Sequence, residues 1–217
     1  MQNKRVLITV PNTKWIHKTV VAKLLSLLID GRYPVTIKLP SARPYENNLN
    51  QIVRNFLDGG YDFWLSIDVD NAPINNPLDL VELDKDIIGL PTPIWHFENK
   101  IKGERPIYWN GYDYVPKDLA YKEHLPREGL QKVDAIGTGC FLIARRVFLN
   151  PKMQEGVFVR KLNMDGSIDK GNDISFCERA KEQGFEIYCH YGYPCNHITE
   201  INLHEVAYAI KGLVNGI

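Results

Sequence analysis

No apolar run in the chain approaches the ~18 residues that a membrane-spanning helix needs, which excludes a membrane span from the reading. A secretory leader is excluded on similar grounds. Lys4 and Arg5 precede a short apolar stretch, but Pro11, Asn12, Lys14 and His17 interrupt it at once. An excess of charge of either sign is also missing, since 26 Lys and Arg face 26 Asp and Glu. General nucleic-acid binding, which needs a basic excess, is therefore not expected. Cysteine is scarce. Cys140, Cys177, Cys189 and Cys195 form no CxxC pair, so a zinc site has no support and a reduced, cytoplasmic protein is the expectation. Internal repeats and low-complexity tracts are absent, and so is a P-loop. No third glycine opens a helix after Gly137 and Gly139, which argues against a dinucleotide fingerprint. What is left, 44% hydrophobic and 24% charged residues in a chain of 217, is the composition of an ordinary globular protein of one domain.

The apolar pattern orders the first third of the chain. Val6–Val10 reads as a buried strand, and Trp15–Ile29 has the apolar spacing of a helix, with Gly31 as its stop. Tyr33–Lys38 reads as a second strand, Asn47–Leu57 as a second helix and Tyr61–Ile67 as a third strand. Alternating strand and helix predicts a parallel sheet covered by helices, with the strand C-termini on one ligand-binding edge. Beyond Asp70, Leu78–Leu83 reads as a short helix and Ile87–Leu90 as a buried strand. Pro91–Lys132, rich in proline and aromatics, reads as a long excursion outside the sheet. Val133–Ile136 and Phe141–Ala144 regain strand character. Ile174–Gln183 reads as a helix, Phe185–His190 as a strand and Leu203–Val214 as a final helix.

The third strand ends in Ile67-Asp68-Val69-Asp70. In extended backbone, residues two apart point the same way, so Asp68 and Asp70 can converge on one hard cation such as Mn2+ or Mg2+. The plainer reading is that both carboxylates solvate a strand end and cap the loop that follows. The place of the pair, after the third strand of a βαβ series, favours the ion. In the loop after the second strand, Leu39–Pro44, Arg43 is a candidate for gripping a diphosphate, or an exposed loop charge. Trp95, His96, Phe97, Tyr108, Trp109, Tyr112 and Tyr114 are candidates for stacking on sugars or bases. They serve equally well as a satellite core under the excursion.

The Asp-x-Asp segment resembles the D-x-D motif of GT-A fold glycosyltransferases, of the kind found in family 2-like nucleotide-sugar transferases. Gly137-Thr138-Gly139-Cys140-Phe141-Leu142-Ile143 looks like that family's glycine-rich acceptor-side turn and strand. Asn172-Asp173-Ile174-Ser175-Phe176-Cys177-Glu178-Arg179-Ala180, followed by Gly184-Phe185, resembles its helix–strand unit. The three segments stand in the family's order and span most of the chain. The resemblance implies a GT-A-like, Rossmann-type α/β sandwich of three layers around a mixed central sheet. It implies a single domain over residues 1–217, with a nucleotide-binding half (1–75) and an acceptor-side half (76–217).

The same resemblance implies a metal-dependent transfer of sugar from a UDP- or GDP-sugar to a hydroxyl on a glycan, a protein, a small molecule or a modified nucleobase. Asp68, Asp70 and His197 would hold Mn2+ or Mg2+, with His190 as the rival histidine. Pro11 and Asn12 would receive the nucleoside, and Gly137 and Gly139 would let a sugar or acceptor approach the backbone. Their bland alternative is a tight turn with positive φ. Asp173 would be the base of an inverting reaction, its pKa lowered by a helix N-terminus, and its bland alternative is a helix cap. Two departures stand out. Asn172 replaces the family's acid, and the family's Asp-rich loop after the second strand is missing, which leaves the choice of nucleotide open. The rival functions are a nucleotidyltransferase, for which Pro11-Asn12-Thr13-Lys14 is a poor phosphate loop, and a non-catalytic glycan- or nucleotide-binding module.

Overall fold

The computed structural model describes residues 4–12, 15–95 and 107–200. The expected helix at Leu203–Val214, together with His96 and Phe97, lies outside the described residues. Strand β1 (Val6–Thr9) is buried along its whole length, as a central parallel strand covered on both faces must be. It pairs in parallel with β2 (Val35–Lys38) on one side and β3 (Phe63–Ile67) on the other. Helix α1 (Lys18–Ile29) joins β1 to β2. His17 caps it by accepting the Thr19 N–H, and Gly31, at φ 72°, supplies the left-handed turn that ends it. Helix α2 (Tyr45–Asp58) joins β2 to β3 and begins two residues earlier than the sequence pattern suggests.

A 3-10 helix (Pro77–Leu83) then leads to β4 (Ile87–Gly89). The excursion builds two small sheets. One pairs β5 (Pro93–Trp95) with β6 (Ile107–Trp109), and the other begins with β7 (Gly111–Val115) and β8 (Ala120–Glu123). The excursion ends earlier than expected, because β9 (Leu130–Lys132) is an edge strand of the main sheet. The segment Val133–Ile136 does contain a strand. Its strand, β10 (Ala135–Ile136), pairs with β7 outside the main sheet. Strand β11 (Cys140–Ala144) lies antiparallel between β3 and β4. Helix α3 (Arg145–Leu149) follows, then a hairpin of β12 (Lys161–Leu162) and β13 (Ile168–Lys170). Helix α4 (Asn172–Glu182) and β14 (Ile187–His190), which runs parallel to β4, complete the described fold.

The seven-stranded sheet has the order β2-β1-β3-β11-β4-β14-β9 and is mixed, as expected. Its residues alternate between two cores. Leu7, Trp64, Phe141 and Ile143 face α2, α3 and α4, while Ile8, Leu65, Ile67 and Leu142 face α1 and the 3-10 helix. Three layers result. Trp64 anchors the first core, edge-on to Phe141 at 4.9 Å between ring centroids, and its indole N–H donates to Thr9 Oγ1 at 2.7 Å. With that donor satisfied, burying the ring is wholly favourable, and truncating it to alanine would cost about 3–5 kcal/mol. Because β11 opposes both β3 and β4, the strands β1, β2, β3, β4 and β14 all run the same way. The loops after β1 and β3 therefore emerge on one edge.

Candidate functional site

On that edge lies a cleft of about 270 Å3 lined by Pro11, Asn12, Trp15, Tyr45, Asn48, Asp68, Val69 and Asp70. Four of these, Pro11, Asn12, Asp68 and Asp70, are residues that the sequence singles out. They meet because β1 and β3 are neighbours and end together. Asp68 is fixed from two sides. Its N–H donates to Gly139 O at 2.8 Å, and its Oδ1 accepts from the Tyr45 hydroxyl at 2.8 Å. Burial pushes the Asp68 carboxyl up to about 7. The Tyr45 bond pulls it down, and the charge of Asp70 adds to the rise. The backbone turns at once, with the Asn71 N–H on Asp68 O at 3.2 Å, and the His17 N–H ties Val69 O to the start of α1 at 2.8 Å.

The segment after β14 folds back along this loop. Ile74 N–H donates to Pro194 O, Asn196 N–H to Ala72 O and Ile198 N–H to Asp70 O, at 3.0, 2.9 and 3.0 Å. His197 is thereby set opposite Asp70, with Nε2 3.9 Å from Asp70 Oδ2. Its Nδ1 lies 2.6 Å from Pro93 O. A carbonyl only accepts, so Nδ1 is the donor to Pro93 O, which leaves Nε2 as the ring nitrogen that faces Asp70. Two donors each ~2.1 Å from one ion lie at most ~4.2 Å apart, so the Asp70–His197 pair fits a shared cation. His190 has partners of its own. Its Nδ1 accepts the Gly192 N–H at 3.2 Å and its ring packs edge-on to Tyr193.

Among the described residues, no group of three or more His, Cys, Asp or Glu is gathered closely enough to cage a metal by itself. Carboxylate and imidazole donors that leave most positions open suit Mn2+ or Mg2+, which commonly keep waters or take substrate phosphates.

Asp173 sits in the first turn of α4. The N-cap is Gly171, and Asp173 accepts the adjacent Ile174 N–H at 2.9 Å. The expected downward pull of the helix N-terminus is outweighed. Burial raises the pKa of Asp173, against the backbone hydrogen bonds and the nearby Arg160 that lower it. Its charge reaches Tyr45 and Tyr112, whose phenols are pushed up first by burial and further by Asp173. Tyr45 thus links Asp68, by a hydrogen bond, to the electrostatic neighbourhood of Asp173.

Gly137, Gly139 and Arg43 are not in the wall of the cleft. Gly137 and Gly139 do not adopt positive φ, and protein side chains crowd the space beside them. A Cβ on Gly137 would meet Asn110 Nδ2 at 2.6 Å, and one on Gly139 would meet Asn71 Nδ2 at 3.0 Å. These glycines make room for buried asparagines. Arg43 is exposed, just before α2, and is not in the wall of the cleft. Among the aromatics of the excursion, Tyr112 packs against the main core. Trp15, Tyr45 and Asn48 line the cleft without having been singled out in the sequence. For Tyr45 and Asn48 the available signal was their i, i+3 spacing at the start of α2.

No family model matches the chain, and no curated protein matches it. Solved structures do. The crystal structure of A197 from STIV aligns over 90% of this chain and 86% of that one, at a TM-score of 0.54 and 16% identity. GalNAc-T7 with UDP, GalNAc and Mn2+ aligns over 92% of this chain at a TM-score of 0.52 and 11% identity. This chain spans 44% of that one. The likeness is one of fold: a Rossmann-like α/β architecture of GT-A type.

Proposed function

We propose that this chain is a glycosyltransferase that depends on a divalent cation. It takes a UDP- or GDP-sugar in the cleft and passes the sugar to an acceptor hydroxyl. The observation that carries the reading is the pair of strand-end carboxylates in the cleft wall, with His197 Nε2 facing Asp70 across the loop. The fold likeness to GalNAc-T7, a structure that holds UDP, GalNAc and Mn2+, supports it. In this reading one domain does the work, with residues 1–75 serving the donor and 76–217 serving the acceptor. The acceptor is a glycan, a protein, a small molecule or a modified nucleobase.

Asp68, Asp70 and His197 would hold the cation, Mn2+ or Mg2+, which when bound neutralises the negative charge of the leaving diphosphate. Pro11 and Asn12 receive the nucleoside side of the donor. Tyr45 keeps one Asp68 oxygen occupied and so orients the other. Asp173 takes the proton of the attacking acceptor hydroxyl as its oxygen bonds to the anomeric carbon, which inverts that carbon. A raised carboxylate pKa suits this role, because a base is most effective with a pKa near the working pH.

Calorimetric titration of UDP and GDP, in Mn2+ and in EDTA, tests the reading. Binding should require the cation, and Asp70→Ala should lose the binding that Mn2+ supports. Equal nucleotide affinity in Mn2+ and EDTA would refute the metal assignment. Release of pyrophosphate from UTP and a sugar 1-phosphate, without transfer from a UDP-sugar, would point to a nucleotidyltransferase instead.

A further inference from the structure

One side chain in the cleft has a hydrogen-bonding need that no described residue meets. Asn48 is 1% exposed and lines the cleft one turn along α2 from Tyr45. Its Nδ2 donates to Pro40 O at 3.0 Å, which fixes the orientation of the amide. Its Oδ1 is buried and accepts from none of the described residues. Pro40 O also receives the Asn12 N–H at 2.9 Å, so that carbonyl ties together the loops after β1 and β2 and the start of α2. Turning the Asn48 amide would break that tie. A buried acceptor without a partner is rare in folded proteins and unfavourable, and it is relieved only by a group that donates. Trp15, 56% exposed, offers an apolar ring in the same wall.

We infer that Asn48 Oδ1 accepts the N3–H of a uracil base held against Trp15, so that the cleft selects uridine nucleotides. The inference rests on the nucleotide-sugar reading above and narrows it. Uracil presents a donor at N3, flanked by two carbonyl acceptors. Cytosine presents a lone pair at N3, which would oppose the lone pairs of Oδ1.

The test is calorimetry in Mn2+ with UDP, CDP, GDP and UDP methylated at N3, on the wild type, Asn48→Leu and Asn48→Asp. The wild type should bind UDP about tenfold or more tighter than the N3-methylated compound or CDP, since losing one such pairing costs about 1.4 kcal/mol or more. In Asn48→Leu, UDP should weaken by a similar factor and the preference should disappear. Asn48→Asp, which keeps an acceptor, should keep the preference. Equal affinity of the wild type for UDP and its N3-methyl form, or tighter binding of GDP, would overturn the inference whatever the variants do. If UDP binds without preference, only the base assignment falls. If no nucleotide binds, the nucleotide-sugar reading falls with it.

Discussion

Asp68→Asn is expected to stabilise the metal-free protein at neutral and alkaline pH. The Asp68 carboxyl is raised from 3.8 to about 7, chiefly by burial. A folded pKa above the unfolded one means that the native state holds its proton more tightly. The favourable contribution is complete below about pH 4 and is lost as pH rises towards 7, where the native state must carry a poorly solvated charge. Three pK units at 1.36 kcal/mol each give about 4 kcal/mol. The carboxylate is half-buried and opens on the cleft, so water screens part of this, and roughly 2 kcal/mol is the working figure. Asparagine removes the titration, and its oxygen can still accept from the Tyr45 hydroxyl. In EDTA, the variant's melting temperature relative to wild type should rise by ~4–8 °C between pH 4 and pH 8. Scanning calorimetry or fluorescence melts across that range would measure it. Saturating Mn2+ should then raise the wild-type melting temperature at pH 8 more than that of the variant, because a ligand that binds only the native state stabilises it by mass action. A difference between the two proteins that stays flat with pH would refute the reasoning.

Two further outcomes are expected. His197→Ala should weaken Mn2+-supported UDP binding ~10- to 100-fold without a large change in melting temperature, while His190→Ala should leave that binding intact. The reverse pattern would exchange the two histidines. Asp173→Asn should lower transfer, or donor hydrolysis where no acceptor is at hand, by about 10²–10⁴-fold while UDP and Mn2+ still bind. Near-normal turnover in Asp173→Asn, with a markedly lower melting temperature in Asp173→Ala, would make Asp173 a helix-stabilising residue and no base.

The parts of the fold read most easily from sequence are those with long, regular apolar patterns. Strands β1, β2 and β3 and helices α1, α2 and α4 fall where the periodicity puts them, give or take a few residues. Leu130–Lys132 escaped that reading because a three-residue edge strand, Leu-Gln-Lys, has no alternation to recognise. Ala135–Ile136 reads as a strand because it is apolar, but periodicity does not say which sheet a strand joins. The carboxylates were legible as a motif following a strand, but the extended backbone expected there is not found, because the chain turns at Val69 and Asp70. Tyr45 was not legible, since reading α2 from Asn47 left it in a loop, and its role depends on reaching a residue 23 positions away. The proton affinity of Asp173 was misread for a related reason. The helix N-terminus is visible in sequence, whereas the burial that outweighs it comes from distant chain.

The hydrogen bonds that zip residues 70–74 to residues 194–198 have a consequence for how the molecule assembles. Asp70 and His197 are separated by more than half of the chain, and His197 faces Asp70 only once that late segment has closed onto an early loop. Such distant pairings carry the largest entropy of closure and tend to form late in folding. On the proposed reading, a chain still emerging from the ribosome would therefore possess both aspartates but not His197. Cation affinity would then appear only once the segment after β14 has closed onto the loop after β3.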